Sequence, residues 1–109
     1  MSYNVLAISP FDRQLKRLAK KYPSLKKEYA ALLESLAEQP EQGISLGNHC
    51  YKIRIAIASK SKGKSGGARV VTHVVIMDNT VFLIAIYDKA EKENLTDKEL
   101  NDLLKYIPD

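Results

Sequence analysis

The chain has 109 residues, 45% hydrophobic and 28% charged, with 17 Lys and Arg against 13 Asp and Glu. That length fits one domain spanning 1–109, and the balance points to a globular chain, neither disordered nor membranous. No apolar run reaches the roughly eighteen residues of a membrane span, and the N-terminus lacks the basic stretch and long apolar core of a secretory signal. Cys50 is the only cysteine, so no intrachain disulfide can form and a reducing, cytoplasmic setting is expected.

In chain order, Tyr3 to Ile8 predicts a short strand, ended by Ser9-Pro10. Phe11, Leu15, Leu18 and Ala19 recur at helical spacing, with Ser9 or Asp12 as candidate caps and Pro10 tolerated in the first turn. Tyr22-Pro23-Ser24 interrupts. Leu25, Tyr29, Leu32, Leu33 and Leu36 then predict a second helix, capped by Ser24 and stopped by Pro40 and Gly43. So short a connection makes an αα-hairpin.

The period then changes. From Tyr51 to Ala58, Ile53, Ile55 and Ile57 alternate with Lys52, Arg54, Ala56 and Ala58, as in a strand. Ser59 to Gly67 (SKSKGKSGG) has loop composition, Arg69 to Met77 alternates again, and Asp78-Asn79 predicts a tight hairpin. Val81 to Tyr87 is almost wholly apolar, as a central buried strand should be. After a charged loop from Asp88 to Asn94, Thr96 and Glu99 have capping-box spacing ahead of a short helix through Leu100, Leu103, Leu104 and Ile107. The predicted class is α+β: βαα, an antiparallel three-stranded meander and a C-terminal helix, with the helices on one sheet face.

Charge is unevenly placed. Six of the 17 basic residues (Lys52, Arg54, Lys60, Lys62, Lys64 and Arg69) and none of the 13 acidic ones lie between Gln42 and Met77. The remainder holds eleven basic and thirteen acidic residues, a net −2. A basic block in a slightly acidic frame points to a localised polyanion site. Alternation gathers Lys52, Arg54, Arg69, His73 and Tyr87 on the sheet face away from the aliphatic residues, a surface suited to holding phosphates and stacking a base.

Other chemistries lack their residues. His49 and Cys50 have no second ligand pair for zinc. The basic segment has no paired carboxylates for glycoside hydrolysis. Gly63-Lys64-Ser65 lacks both the spacing and the following helix of a phosphate-binding loop. No cofactor is implied.

The stretch from Tyr51 to Leu100 resembles the RelE/ParE toxin superfamily, closest to its HigB-like RelE branch. The likeness lies in a basic-aliphatic strand, the turn Gly63-Lys64-Ser65-Gly66-Gly67-Ala68-Arg69, an aliphatic strand ending in Tyr87-Asp88-Lys89, and the Leu95-Thr96 helix start. The helix pair opening with SPFDRQLKRLAKKYPSLKKEY extends it over nearly the whole chain. The chain departs from the branch at Ile55, where many members carry an aromatic residue, and in having no Arg in the loop before Arg69.

The resemblance implies a microbial ribonuclease fold and a type II toxin that cuts mRNA on the ribosome without a metal. In that reaction the ribose 2′-hydroxyl attacks the adjacent phosphate, leaving a 2′,3′-cyclic phosphate and a 5′-hydroxyl. It also implies inhibition by a cognate antitoxin, usually a helix-turn-helix protein; this chain has no recognition helix, so DNA binding is the partner's task. Such chemistry needs fixed cations for the phosphorane, for which Arg69 and then Arg54 qualify. Lys62 or Lys64 is the candidate base, and Tyr87 or Lys89 the candidate acid. Lys52, Arg54, Lys60, His73 and Lys92 are the candidate RNA contacts. Two alternatives stay open: a gyrase-inhibiting toxin of the ParE kind, which the clustered cations disfavour, and a degenerate, non-catalytic binding module. Mid-strand His73 fits a structural histidine better than a catalytic one.

Overall fold

The computed structural model describes residues 2–60 and 66–108. One five-stranded sheet carries the molecule, its strands in the order β1 (Asn4–Ala7), β5 (Thr80–Asp88), β4 (Ala68–Val75), β3 (Cys50–Ile55) and β2 (Ile44–Gly47). Strand β1 runs parallel to β5. The other pairings are antiparallel.

The two predicted helices form over Ser9–Lys21 (α1) and Leu25–Glu38 (α2). Their apolar stripes bury Phe11, Leu18, Leu25, Leu32 and Leu36 against the sheet. The caps differ from expectation. Ile8 holds the N-cap position of α1, and Ser9 is already helical. Ser24 sits before α2, but its hydroxyl donates to Glu28 Oε1 at 3.1 Å and accepts from the Ser59 amide at 3.0 Å. It therefore joins the helix to the 3-10 turn Ala58–Lys60 instead of capping its own amides.

Strand β2 has no counterpart among the predicted elements. Its four residues are all exposed, so burial leaves no alternation to read. Asn48 and His49, with φ of 53° and 60°, turn it into β3 as a two-residue hairpin with Gly47 opposite Cys50. Gly67 is fixed by contact: a Cβ there would lie 2.0 Å from the Ile55 carbonyl oxygen.

Register assigns the two faces. Ile53, Val70 and Ile86 are level across β3, β4 and β5, and Ile53 and Ile55 line a groove with Glu28, Leu32 and Ser35 of α2. The next rung, Arg54, Arg69 and Tyr87, belongs to the other face. On the other side of the Val70 rung, Val71 faces Ala85 and Thr72 faces Leu83, so Ile84 is a bulge that puts Leu83 and Val81 on the aliphatic face.

The last helix, Asp97–Leu104 (α3), opens with the expected capping box between Thr96 and Glu99. It departs from the single-face arrangement. Leu95 and Leu100 line a cavity with Lys52, Val71 and Tyr87, so this end of the chain covers the face opposite α1 and α2.

Candidate nucleic-acid interface

The strands bring Arg54, Arg69 and Tyr87 into one cross-strand rung, with Lys52 two residues before Arg54 on the same face. Directly opposed residues in such a ladder stand about 5 Å apart at Cα, so two guanidinium stems and a phenol share a narrow strip. The alternation that predicts this grouping also predicts an open surface. That expectation is corrected: Arg69 is only 3% exposed and Tyr87 only 7%, in the part of the face that Asn94, Leu95 and Leu100 lie over. Arg54, on β3, is exposed.

Arg69 Nη1 donates to the Ala68 carbonyl at 3.2 Å. Burial pushes the Tyr87 phenol up, and the nearby Arg69 charge offsets part of that rise. Tyr87 is therefore a neutral phenol at physiological pH. Its hydroxyl is sealed from solvent without a well-aligned hydrogen bond, although the Leu95 backbone comes near it. Lys52, half-buried, reaches over the face to Asn94 Oδ1 at 3.0 Å.

The other sequence candidates separate from this strip. His73 lies four residues along β4 from Arg69, about 13 Å at strand rise. Its Nδ1 is 3.4 Å from Sγ of its cross-strand partner Cys50. Burial lowers the imidazole, and His49 lowers it further, so the ring is neutral at physiological pH. Lys60 turns to the helical side, where Nζ lies 2.6 Å from Asp88 Oδ1 in a pair whose side chains are 9% and 0% exposed. That engagement removes it from the expected RNA contacts. Lys92 pairs with Glu99 at 2.5 Å beside α1. Lys89 is exposed just beyond β5, its amide donating to the Gly67 carbonyl at 3.1 Å. Lys62 and Lys64 lie outside the described residues.

Two features lie outside the predicted site. The first is Asp88, which reads as the start of a charged loop but is placed by the structure as the last residue of β5. Burial alone would raise its carboxyl; hydrogen bonds from Lys60, Tyr22 and the Ala90 amide outweigh that and hold it at about 2. The second is a further basic surface. Arg13, Lys16, Arg17, Lys20, Lys21, Lys26 and Lys27 are all exposed on α1 and α2, with no acidic residue between them in sequence. A charge count over the first helices would have found it. Glu91 answers two of these cations, Arg17 at 2.9 Å and Lys21 at 3.7 Å.

A helical hairpin on one sheet face and an arginine–tyrosine rung on the other define a small α+β protein of the toxin fold that the sequence resembles. The chain belongs to the RelE toxin family: the family model described as the RelE toxin of the RelE/RelB toxin–antitoxin system matches residues 11–107. Among solved structures it is similar to a double arginine-to-alanine mutant of the Escherichia coli toxin RelE in the free state, with a TM-score of 0.65 and 19% identity over 99% of this chain and 100% of that one. The isolated E. coli RelE toxin matches with a TM-score of 0.52 and 19% identity over 97% and 100%. The intact E. coli RelBE toxin–antitoxin complex matches with a TM-score of 0.51 and 23% identity over 80% and 96%. At these identities the likeness shows the fold. No helix among the described residues is long and apolar enough to cross a membrane.

Proposed function

We propose that this protein is the toxin of a type II toxin–antitoxin system and arrests translation by cleaving mRNA on the ribosome. The observation that carries the reading is the Arg54–Arg69–Tyr87 rung on a cationic strip of the sheet. The reaction joins the 2′-oxygen to the scissile phosphorus and expels the 5′-oxygen, so charge gathers on the phosphorane between them. Arg54 supplies an exposed guanidinium for the phosphate, and Arg69 a fixed charge in low-dielectric surroundings, where screening by salt is weak. Lys62 or Lys64 takes the 2′-proton, and Tyr87 or Lys89 protonates the departing oxygen. Lys52 holds the backbone alongside. No metal enters this scheme, which follows the family's chemistry.

The partner is a cognate antitoxin, as RelB is for RelE in the E. coli complex. The exposed cations and the half-covered sheet face suit a segment that brings acidic and apolar side chains together.

The burial of Arg69 and Tyr87 favours one second reading, a non-catalytic module that grips RNA or its antitoxin through Arg54 and Lys52 alone. Purified translating ribosomes with end-mapping of the mRNA separate the two. The ribonuclease reading expects cleavage with 2′,3′-cyclic phosphate ends, lost in Arg69→Ala and Arg54→Ala. Intact mRNA with retained binding supports the module, and intact mRNA with DNA damage in induced cells points to gyrase.

A further inference from the structure

Strand β5 is almost wholly apolar, yet it ends on a carboxylate with no accessible surface. Asp88 Oδ1 accepts from Lys60 Nζ at 2.6 Å and from the Ala90 amide at 3.0 Å, and Oδ2 accepts from the Tyr22 hydroxyl at 2.6 Å. The Lys60 ammonium also stands 5.3 Å from the Tyr22 ring centroid. The three donors come from separate parts of the chain: the turn after β3, the exit from β5, and the α1–α2 connection. A packed apolar trio would be cheaper to bury than this charged one, so stability alone does not explain the choice. What the charges add is a single permitted geometry.

The neighbours of that geometry are the residues the ribonuclease reading uses. Asp88 lies between Tyr87 and Lys89, and its cross-strand partner Ala68 immediately precedes Arg69. The Lys89 amide holds the Gly67 carbonyl while the Asp88 carboxylate holds Lys60. Both sides of the 61–65 segment are therefore tied to the dipeptide Asp88-Lys89 at the end of β5.

We propose that Asp88 is a positioning residue for RNA cleavage: its buried carboxylate, gripping Lys60, Tyr22 and the Ala90 amide, sets the placement of the segment bearing Arg69 against the one bearing Tyr87 and Lys89. The proposal rests on the ribonuclease reading. Asp88 touches no substrate and acts through its neighbours.

The test uses the full chain with Asp88→Asn, which keeps the volume and an acceptor for Tyr22 but loses the charge facing Lys60. On ribosomes programmed with a defined mRNA, kcat falls about tenfold or more while KM stays within about twofold, as small displacements of reacting groups do. Glu91→Gln, at an exposed carboxylate, leaves both unchanged. Amide hydrogen exchange speeds up at Lys60, Lys89 and Ala90 and stays as in the parent at Val70 and Ile86. A merely structural role would instead speed exchange throughout the sheet and leave kcat per folded molecule intact. If Asp88→Asn does not fold, Tyr22→Phe, which leaves the ion pair in place, gives a smaller kcat loss with the same split. A folded Asp88→Asn whose kcat lies within twofold of the parent overturns the proposal, as does unaltered exchange at Lys60 and Lys89. A parent chain that cleaves no RNA defeats the ribonuclease reading instead, and the exchange data then decide whether Asp88 fixes the two segments.

Discussion

Replacing Lys60 with Met keeps the length of the side chain and deletes its charge, leaving Asp88 without the counterion 2.6 Å away. With 9% and 0% of the two side chains exposed, water does not compensate. Removing one partner from a buried pair costs about 3–5 kcal/mol, and the lower end applies because Tyr22 and the Ala90 amide still donate. For a chain of this size, about 3 kcal/mol lowers Tm by about 12 °C. Adding Asp88→Leu removes the stranded charge and recovers all but about 1–2 kcal/mol, the remainder being the Tyr22 hydroxyl and the Ala90 amide left without their acceptor. The pH dependence is an independent check. The Asp88 carboxyl is depressed from 3.8 to about 2, so its contribution is complete above 3.8 and disappears as pH falls toward 2. That shift corresponds to about 2 kcal/mol. Thermal unfolding followed by far-ultraviolet circular dichroism at pH 7 and pH 3 reads both quantities. A Lys60→Met variant melting within about 3 °C of the parent at pH 7, or a gap that does not narrow in acid, refutes the reasoning.

Thr96→Ala breaks the capping box of α3 and costs about 1 kcal/mol, visible as faster amide exchange at Leu100; unchanged exchange there would count against the cap. Arg54→Ala, at an exposed position, leaves Tm nearly unchanged but weakens RNA binding, with a log–log salt slope smaller by about one in fluorescence-anisotropy titrations. An unaltered slope would mean that Arg54 meets no phosphate. The His73 imidazole titrates below 6.5 by NMR, since burial lowers it. A depressed histidine is bound neutral, so the stability it carries is complete above 6.5 and falls as pH drops through its folded value. A titration midpoint above 6.5 would contradict the buried placement.

Much of the architecture is written in periodicity. The stripe through Phe11, Leu18, Leu25, Leu32 and Leu36 reports which side of each helix is buried, because 3.6-residue spacing needs no knowledge of the partner surface. Alternation in β3 and β4 likewise puts Arg54 and Arg69 on one face, and the strand pairing sets Tyr87 level with them. What stays hidden depends on long-range order. Strand β2 is exposed throughout and held by backbone pairing, so its side chains carry no pattern. The stripe of α3 marks a buried side without saying which sheet surface it meets. Arg69 and Tyr87 look accessible in the sequence because alternation reports a face and not what covers it, and the cover here comes from the distant Asn94–Leu100 segment. Lys60 and Asp88 stand 28 positions apart among other charged residues, and nothing local marks them as a pair.

The parallel pairing of β1 with β5 bears on when the protein can come into being. Asn4 pairs with Thr80, 76 positions later, and β5 is the only sheet neighbour of β1 among the described residues. The arginine rung also needs β5 for Tyr87 and for the inner flank of β4. A nascent chain therefore holds β1 unpaired until β5 has been made, and contacts of such long sequence separation form slowly. The helical hairpin can assemble early, but the Arg54–Arg69–Tyr87 rung closes only once β5 has emerged. The strand that carries Tyr87 is thus also the one that closes the sheet, so no shorter stretch of the chain than one reaching β5 can present the complete rung.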